Sequence, residues 1–121
     1  MAYYMTLSSR DVELILSPLD KVDLNCDNLC IIMSSILSHN NIDHDYMAGV
    51  VCYGKTGIIP HAWLIIDDFI IDYRLKKWIG DLDHCPHGVF MKNIANNKKI
   101  YYFGEKQELS CLSENEIKEL I

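Results

Sequence analysis

Three side chains, Cys26, His61 and Asp72, supply a thiol, an imidazole and a carboxylate in settings where each has a chemical use. Cys26 opens the segment CDNLCIIMSSILSH. Cys26, Leu29, Cys30, Met33, Ile36 and Leu37 recur there at spacings of three and four, the mark of one face of an α-helix. A thiol in the first turn faces the positive end of the helix dipole, which favours the thiolate, the form that attacks carbonyl carbon. Cys30 lies one turn further in, where that influence has largely decayed. On position alone an inert core cysteine is the commoner case, because most cysteines are buried and unreactive.

His61 is the sole polar side chain between Ile58 and Ile66, in IIPHAWLII, and Asp72 is the sole charge in FIIDY. A histidine in such a run is either a satisfied core residue or a working base. A buried carboxylate must be paired or hydrogen-bonded. A tight turn at Asp67-Asp68 makes the two runs a hairpin, with Ile66 opposite Phe69 and Trp63 opposite Asp72. Side chains alternate faces along a strand, so His61, Trp63 and Asp72 share one face. His61 and Asp72 are then diagonal neighbours, about 5–8 Å apart at Cβ. From there a carboxylate fixes the imidazole tautomer and stabilises its charged form.

The elements that must hold these groups read as an α+β layer fold. Ser8 or Ser9 caps a short helix over 10–16 that Pro18 stops. The Cys26 helix is capped by Asn25 or Asp23 and ends at Asn40-Asn41. Strands follow at 46–53, 58–66 and 69–73, with a turn at 54–57. Residues 81–88 read as a loop and 99–103 as a fourth strand. Ser113 and Glu116 form a capping-box pattern ahead of a last short helix.

At 121 residues the chain has the length of one domain, 1–121. Hydrophobic residues make up 50% and charged ones 23%, which excludes a disordered chain. A net charge of −6 argues against nucleic acid as the main partner. The longest nearly apolar run is too short to span a bilayer, and the start lacks the pattern of a secretory signal. Five cysteines without a CxxC pair fit reduced thiols and a cytoplasmic location, in the cell of origin or in a host cell. Asp83, His84, Cys85 and His87 are crowded together and lack the second spaced pair of a closed zinc site, so they read as a loop beside the cleft, with no metal. No cofactor is expected. Arg74 with Lys76-Lys77 reads as a solvated edge, and His39, Asp43, His44 and Asp45 as surface turn residues.

The stretch NCDNLCIIMSSILSHNNI, then His61-Ala62-Trp63, then a hairpin ending in Asp72, resembles the transglutaminase-like branch of the papain-like cysteine enzymes. The resemblance covers roughly residues 20 to 80. Small leader peptidases of lasso peptides look nearest in size and motif, and arylamine N-acetyltransferases share the order of the three groups more distantly. Leu24 stands where the family often has glycine, and Asn41 where its turn often has glycine. The resemblance implies a papain/transglutaminase-like core, with Cys26 as nucleophile, His61 as base and Asp72 as orienting acid. It implies chemistry on an amide of a protein or peptide through a thioester: hydrolysis, glutamine deamidation or transamidation. Asn25, Asn28, Tyr53 and Trp63 are the candidate substrate contacts. Two other readings stand beside it: a non-catalytic binder of inhibitor or immunity type on the same scaffold, and an acyl-CoA-type N-acyltransferase.

Overall fold

Asn25 sets where the longest helix begins. Its side-chain oxygen accepts a hydrogen bond from the Asn28 N–H at 2.8 Å, satisfying one of the donors that a helix start leaves unpaired. The helix, α2, runs Cys26–His39. It stops where Asn41 turns left-handed at φ 57°, a conformation asparagine tolerates better than most residues. The computed structural model describes residues 9–53, 58–79 and 85–121. Ser8, the expected turn at 54–57 and residues 81–84 of the expected loop lie outside them.

Before α2 come α1, Ser9–Leu16, and a 3-10 turn, Ser17–Lys21. After it come β1 (Asp45–Tyr53), β2 (Ile58–Ile66), β3 (Phe69–Asp72) and α3 (Lys76–Ile79). Then follow β4 (Gly88–Met91), α4 (Lys92–Asn97), β5 (Ile100–Gln107) and α5 (Glu114–Leu120). The five strands form one antiparallel sheet in the order β4-β3-β2-β1-β5. The fold is therefore α+β. Neither β4 nor α4 is visible in the sequence pattern. GVFM is too short to display alternation, and KNIANN carries two late asparagines and only one large apolar side chain. The last strand also runs four residues beyond the expected Phe103.

Alternation splits the apolar residues between two faces. Ala62, Leu64, Ile66 and Ile71 pack with Leu29, Ile32, Met33 and Leu37 of α2. Trp63 and Ile70 turn the other way and pack with Val51, Phe90 and Ile100. The second face is concave. Phe90 on β4 and Tyr102 on β5 sit at opposite ends of the strand order, yet their ring centroids are 6.3 Å apart. Four strand spacings in a flat sheet would separate β4 from β5 by roughly 19 Å. The sheet must curl into a half-barrel, and α4, which links β4 to β5, packs against both.

Candidate active site

The hairpin register is the one the two-residue turn demands. Ile66 pairs with Phe69 and Leu64 with Ile71, and Asp67 takes φ 50° in the turn. His61 and Asp72 thereby meet on the concave face. The His61 Nε2 to Asp72 Oδ2 distance is 2.7 Å, and both side chains are essentially solvent-free. A carboxylate only accepts, so Nε2 carries the hydrogen. In the neutral ring the lone pair is then on Nδ1.

Asp72 is satisfied on both oxygens. The Tyr102 hydroxyl donates to Oδ2 at 2.8 Å and the Arg74 backbone N–H to Oδ1 at 2.9 Å. Tyr102 comes from β5, and only the curl of the sheet brings it to β3. Burial, then the charge of Asp72 and the bond to it, push the Tyr102 phenol well up and keep it a donor. Neither Tyr102 nor Arg74 is recognisable as a site residue in the sequence. Arg74 is not the solvated edge expected there. It is 5% exposed, and its guanidinium donates to backbone carbonyls.

Cys26 reaches the site from the other layer. The β2–β3 ladder covers only Leu64 to Ile66 of β2, so His61 has no β3 residue paired beside it. Cys26 is half-buried there and close enough to His61 for its sulfur to favour the charged ring. His61 Nδ1 is buried with no aligned hydrogen-bond partner among the described residues. The contact is thus a close approach rather than an aligned hydrogen bond. The Cys26 thiol also points towards Asp27 Oδ1, at 3.9 Å.

These neighbours decide the charge of His61. Burial draws its pKa down, but the Asp72 hydrogen bond, the Cys26 contact and the charges of both outweigh it and lift the ring to about 10. The ordinary value is 6.5. Between those values the folded chain keeps a proton that the unfolded chain has released. Stability from this group is therefore complete below about pH 6.5 and is lost as pH rises towards 10. The slope is at most about 1.4 kcal/mol per pH unit. Urea midpoints measured from about pH 6 to about pH 9 should fall, and His61→Gln should flatten the fall. An equal fall in the variant would place the titration elsewhere.

The remaining expected residues are placed as follows. Asn25 is exposed, with its oxygen committed to the helix cap. Asn28 is exposed in the first turn. Tyr53 is half-buried against the concave-face cluster. Trp63 is 1% exposed, too buried for the substrate contact expected of it; it stacks along His61 at 6.4 Å between centroids, with its indole 4.9 Å from the Tyr102 ring, and so supports His61. Cys30 is buried, and burial, Asp72 and Cys26 push its thiol up, which keeps it protonated. His44 is not a free surface residue: its Nε2 lies 2.5 Å from Ser34 Oγ and its Nδ1 2.9 Å from the Ile42 carbonyl. Of the crowded cluster near residue 85, His84 lies outside the description, and His87 pairs with Asp20 at 2.8 Å. Among the described residues no group of His, Cys, Asp and Glu is arranged to hold a metal, and no helix is long and apolar enough to cross a membrane.

Comparison with known families, with characterised proteins and with solved structures returns no match.

Proposed function

We propose that the chain is a cysteine enzyme that transfers an acyl group from an amide of a protein or peptide, on a papain/transglutaminase-like core. The observation that carries this reading is the His61–Asp72 bond, which commits Nε2–H to the carboxylate and leaves Nδ1 for the thiol at the start of α2. Lifted to about 10, the His61 ring already holds a proton on Nδ1 at neutral pH, and it keeps that proton as the Cys26 sulfur attacks the carbonyl carbon and the C–S bond forms. The tetrahedral oxyanion sits at the first turn of α2, where the Cys26 backbone N–H has no partner within the helix. Collapse breaks the C–N bond, and His61 gives its Nδ1 proton to the departing amine. The thioester remains. Water or an amine then attacks it, the now neutral His61 takes the incoming proton, and breaking the C–S bond restores the starting sulfur beside a protonated ring.

Water as acceptor gives peptide hydrolysis or glutamine deamidation, and an amine gives transamidation. The cytoplasm, where thiols stay reduced, suits such an enzyme. Dilute iodoacetamide at neutral pH should label Cys26 ahead of Cys30, Cys52, Cys85 and Cys111, as peptide mass mapping reads directly. Incubation with a cell lysate should then leave an acyl adduct on Cys26, whose mass identifies the acyl group. Labelling of Cys26 no faster than of exposed Cys111 would favour the non-catalytic binder instead.

A further inference from the structure

The chain just before Cys26 is held by a side chain from the opposite side of the site. Arg74 follows Asp72 by two residues, past the end of β3. Its Nε donates to the Leu24 carbonyl at 2.8 Å and its Nη2 to the Val22 carbonyl at 2.7 Å. Its Nη1 donates to the Tyr73 carbonyl at 3.0 Å and to Asp20 Oδ1 at 3.2 Å. Its backbone N–H holds the Asp72 carboxylate. A single residue thus touches both the acid that orients His61 and the main chain leading into Asn25 and Cys26.

Resting on the reading just proposed, we infer that Arg74 is a positioning residue that fixes the start of the Cys26 helix against the His61–Asp72 pair. Packing of α2 on the sheet is apolar, and apolar contacts resist sliding weakly because they are non-directional. Hydrogen bonds to Val22 and Leu24 are directional, and both come from one rigid plane. One of the bonds on Asp72 and the bonds to the Val22 and Leu24 carbonyls therefore share one anchor. A sulfur displaced by about 1 Å from the imidazole costs on the order of a hundredfold in rate, so an anchor at this point matters more to chemistry than to folding.

Lysine separates the two roles. It keeps the positive charge and can reach Asp20, but has no planar fork for the Val22 and Leu24 carbonyls. Wild type, Arg74→Lys and Arg74→Gln are to be compared for the rate of Cys26 alkylation by iodoacetamide near neutral pH. Lys77→Gln, at an exposed cation three residues away, serves as the charge control. We expect Arg74→Lys to give a folded protein by circular dichroism whose Cys26 reacts slower by about tenfold or more, with Lys77→Gln at the wild-type rate. A folded Arg74→Lys protein that reacts at the wild-type rate overturns the inference. Should neither Arg74 variant fold, the wild-type protein carries the test by NMR. There the Arg74 Nε–H signal should exchange slowly with solvent and shift when Cys26 is alkylated, and an unmoved signal overturns the inference. A wild-type Cys26 with no reactivity above the other thiols removes the enzymatic reading itself, and this inference with it. That outcome is distinct, because it appears before any variant is made.

Discussion

A Cys26→Ala protein is expected to fold and to acylate at the background rate when offered an activated ester such as p-nitrophenyl acetate, with p-nitrophenol release as the readout. The substitution removes the atom that forms the bond and leaves the three hydrogen bonds on Asp72 in place, since none of them is made to the thiol. His61→Ala should lose nearly as much, because thiol and base act as one unit and their losses do not add. Asp72→Asn should lose less, on the order of 10²–10⁴ in rate. The reason lies in the count of donors. Asp72 accepts from His61, Tyr102 and the Arg74 backbone. An asparagine has one oxygen for three donors and brings two N–H groups of its own. If its amide faces Nε2, the ring proton moves to Nδ1, and the base facing the thiol is lost. Cys30→Ala and Cys85→Ala should leave the rate within a fewfold, although the buried Cys30 will cost stability through lost packing. Wild-type p-nitrophenol release by folded Cys26→Ala would end the case for Cys26 as nucleophile.

The parts of this site that the sequence makes legible are local. The helical spacing from Cys26 to Leu37 and the asparagine before it are enough to set the thiol at the start of α2. A two-residue turn leaves one register for the hairpin, and that register brings His61 to Asp72 without any other knowledge of the fold. The parts that stay hidden depend on the curl of the sheet or on distant main chain. Tyr102 reads as one more aromatic in a strand, since its bond to Asp72 needs β5 to bend round over β1 and β2. Arg74 precedes Lys76-Lys77 and reads as part of a surface charge group. Its partners are carbonyls 50 and 52 residues earlier, and carbonyls leave no mark on side-chain pattern. His44 misleads in the same way, because its polar neighbours suggest a turn while its ring bonds to Ser34 inside α2. Hydrophobic periodicity reports which face a residue takes, and the network around Asp72 is built from contacts between elements.

The close seam between β1 and β5 rests on two glycines, and Gly49→Ala should be among the most destabilising single substitutions in the chain. Gly49 on β1 pairs with Gly104 on β5 and, across β2, with His61. A methyl at Gly49 would lie 2.1 Å from the Phe103 carbonyl oxygen and 2.5 Å from the Gly104 Cα. Both obstacles are backbone in a paired strand, so no rotamer change relieves the overlap. The β1–β5 ladder would have to open. A methyl at Gly104 would lie 2.7 Å from the Trp63 ring and 2.8 Å from the Ala48 carbonyl oxygen. Relief there pushes the indole towards its neighbours, His61 and Tyr102. Gly49→Ala should therefore cost about 3 kcal/mol or more, a large part of the total stability of a domain this size. Gly104→Ala should cost somewhat less, because its backbone overlap, 2.8 Å to the Ala48 carbonyl, is milder than the 2.1 Å one at Gly49 and its other obstacle is a side chain, but it should slow Cys26 alkylation as well by disturbing the ring that supports His61. Urea midpoints at constant pH measure the first effect and iodoacetamide kinetics the second. A Gly49→Ala protein within about 0.5 kcal/mol of wild type would mean that β1 and β5 do not approach this closely, and the placing of Tyr102 through that seam would lose its support.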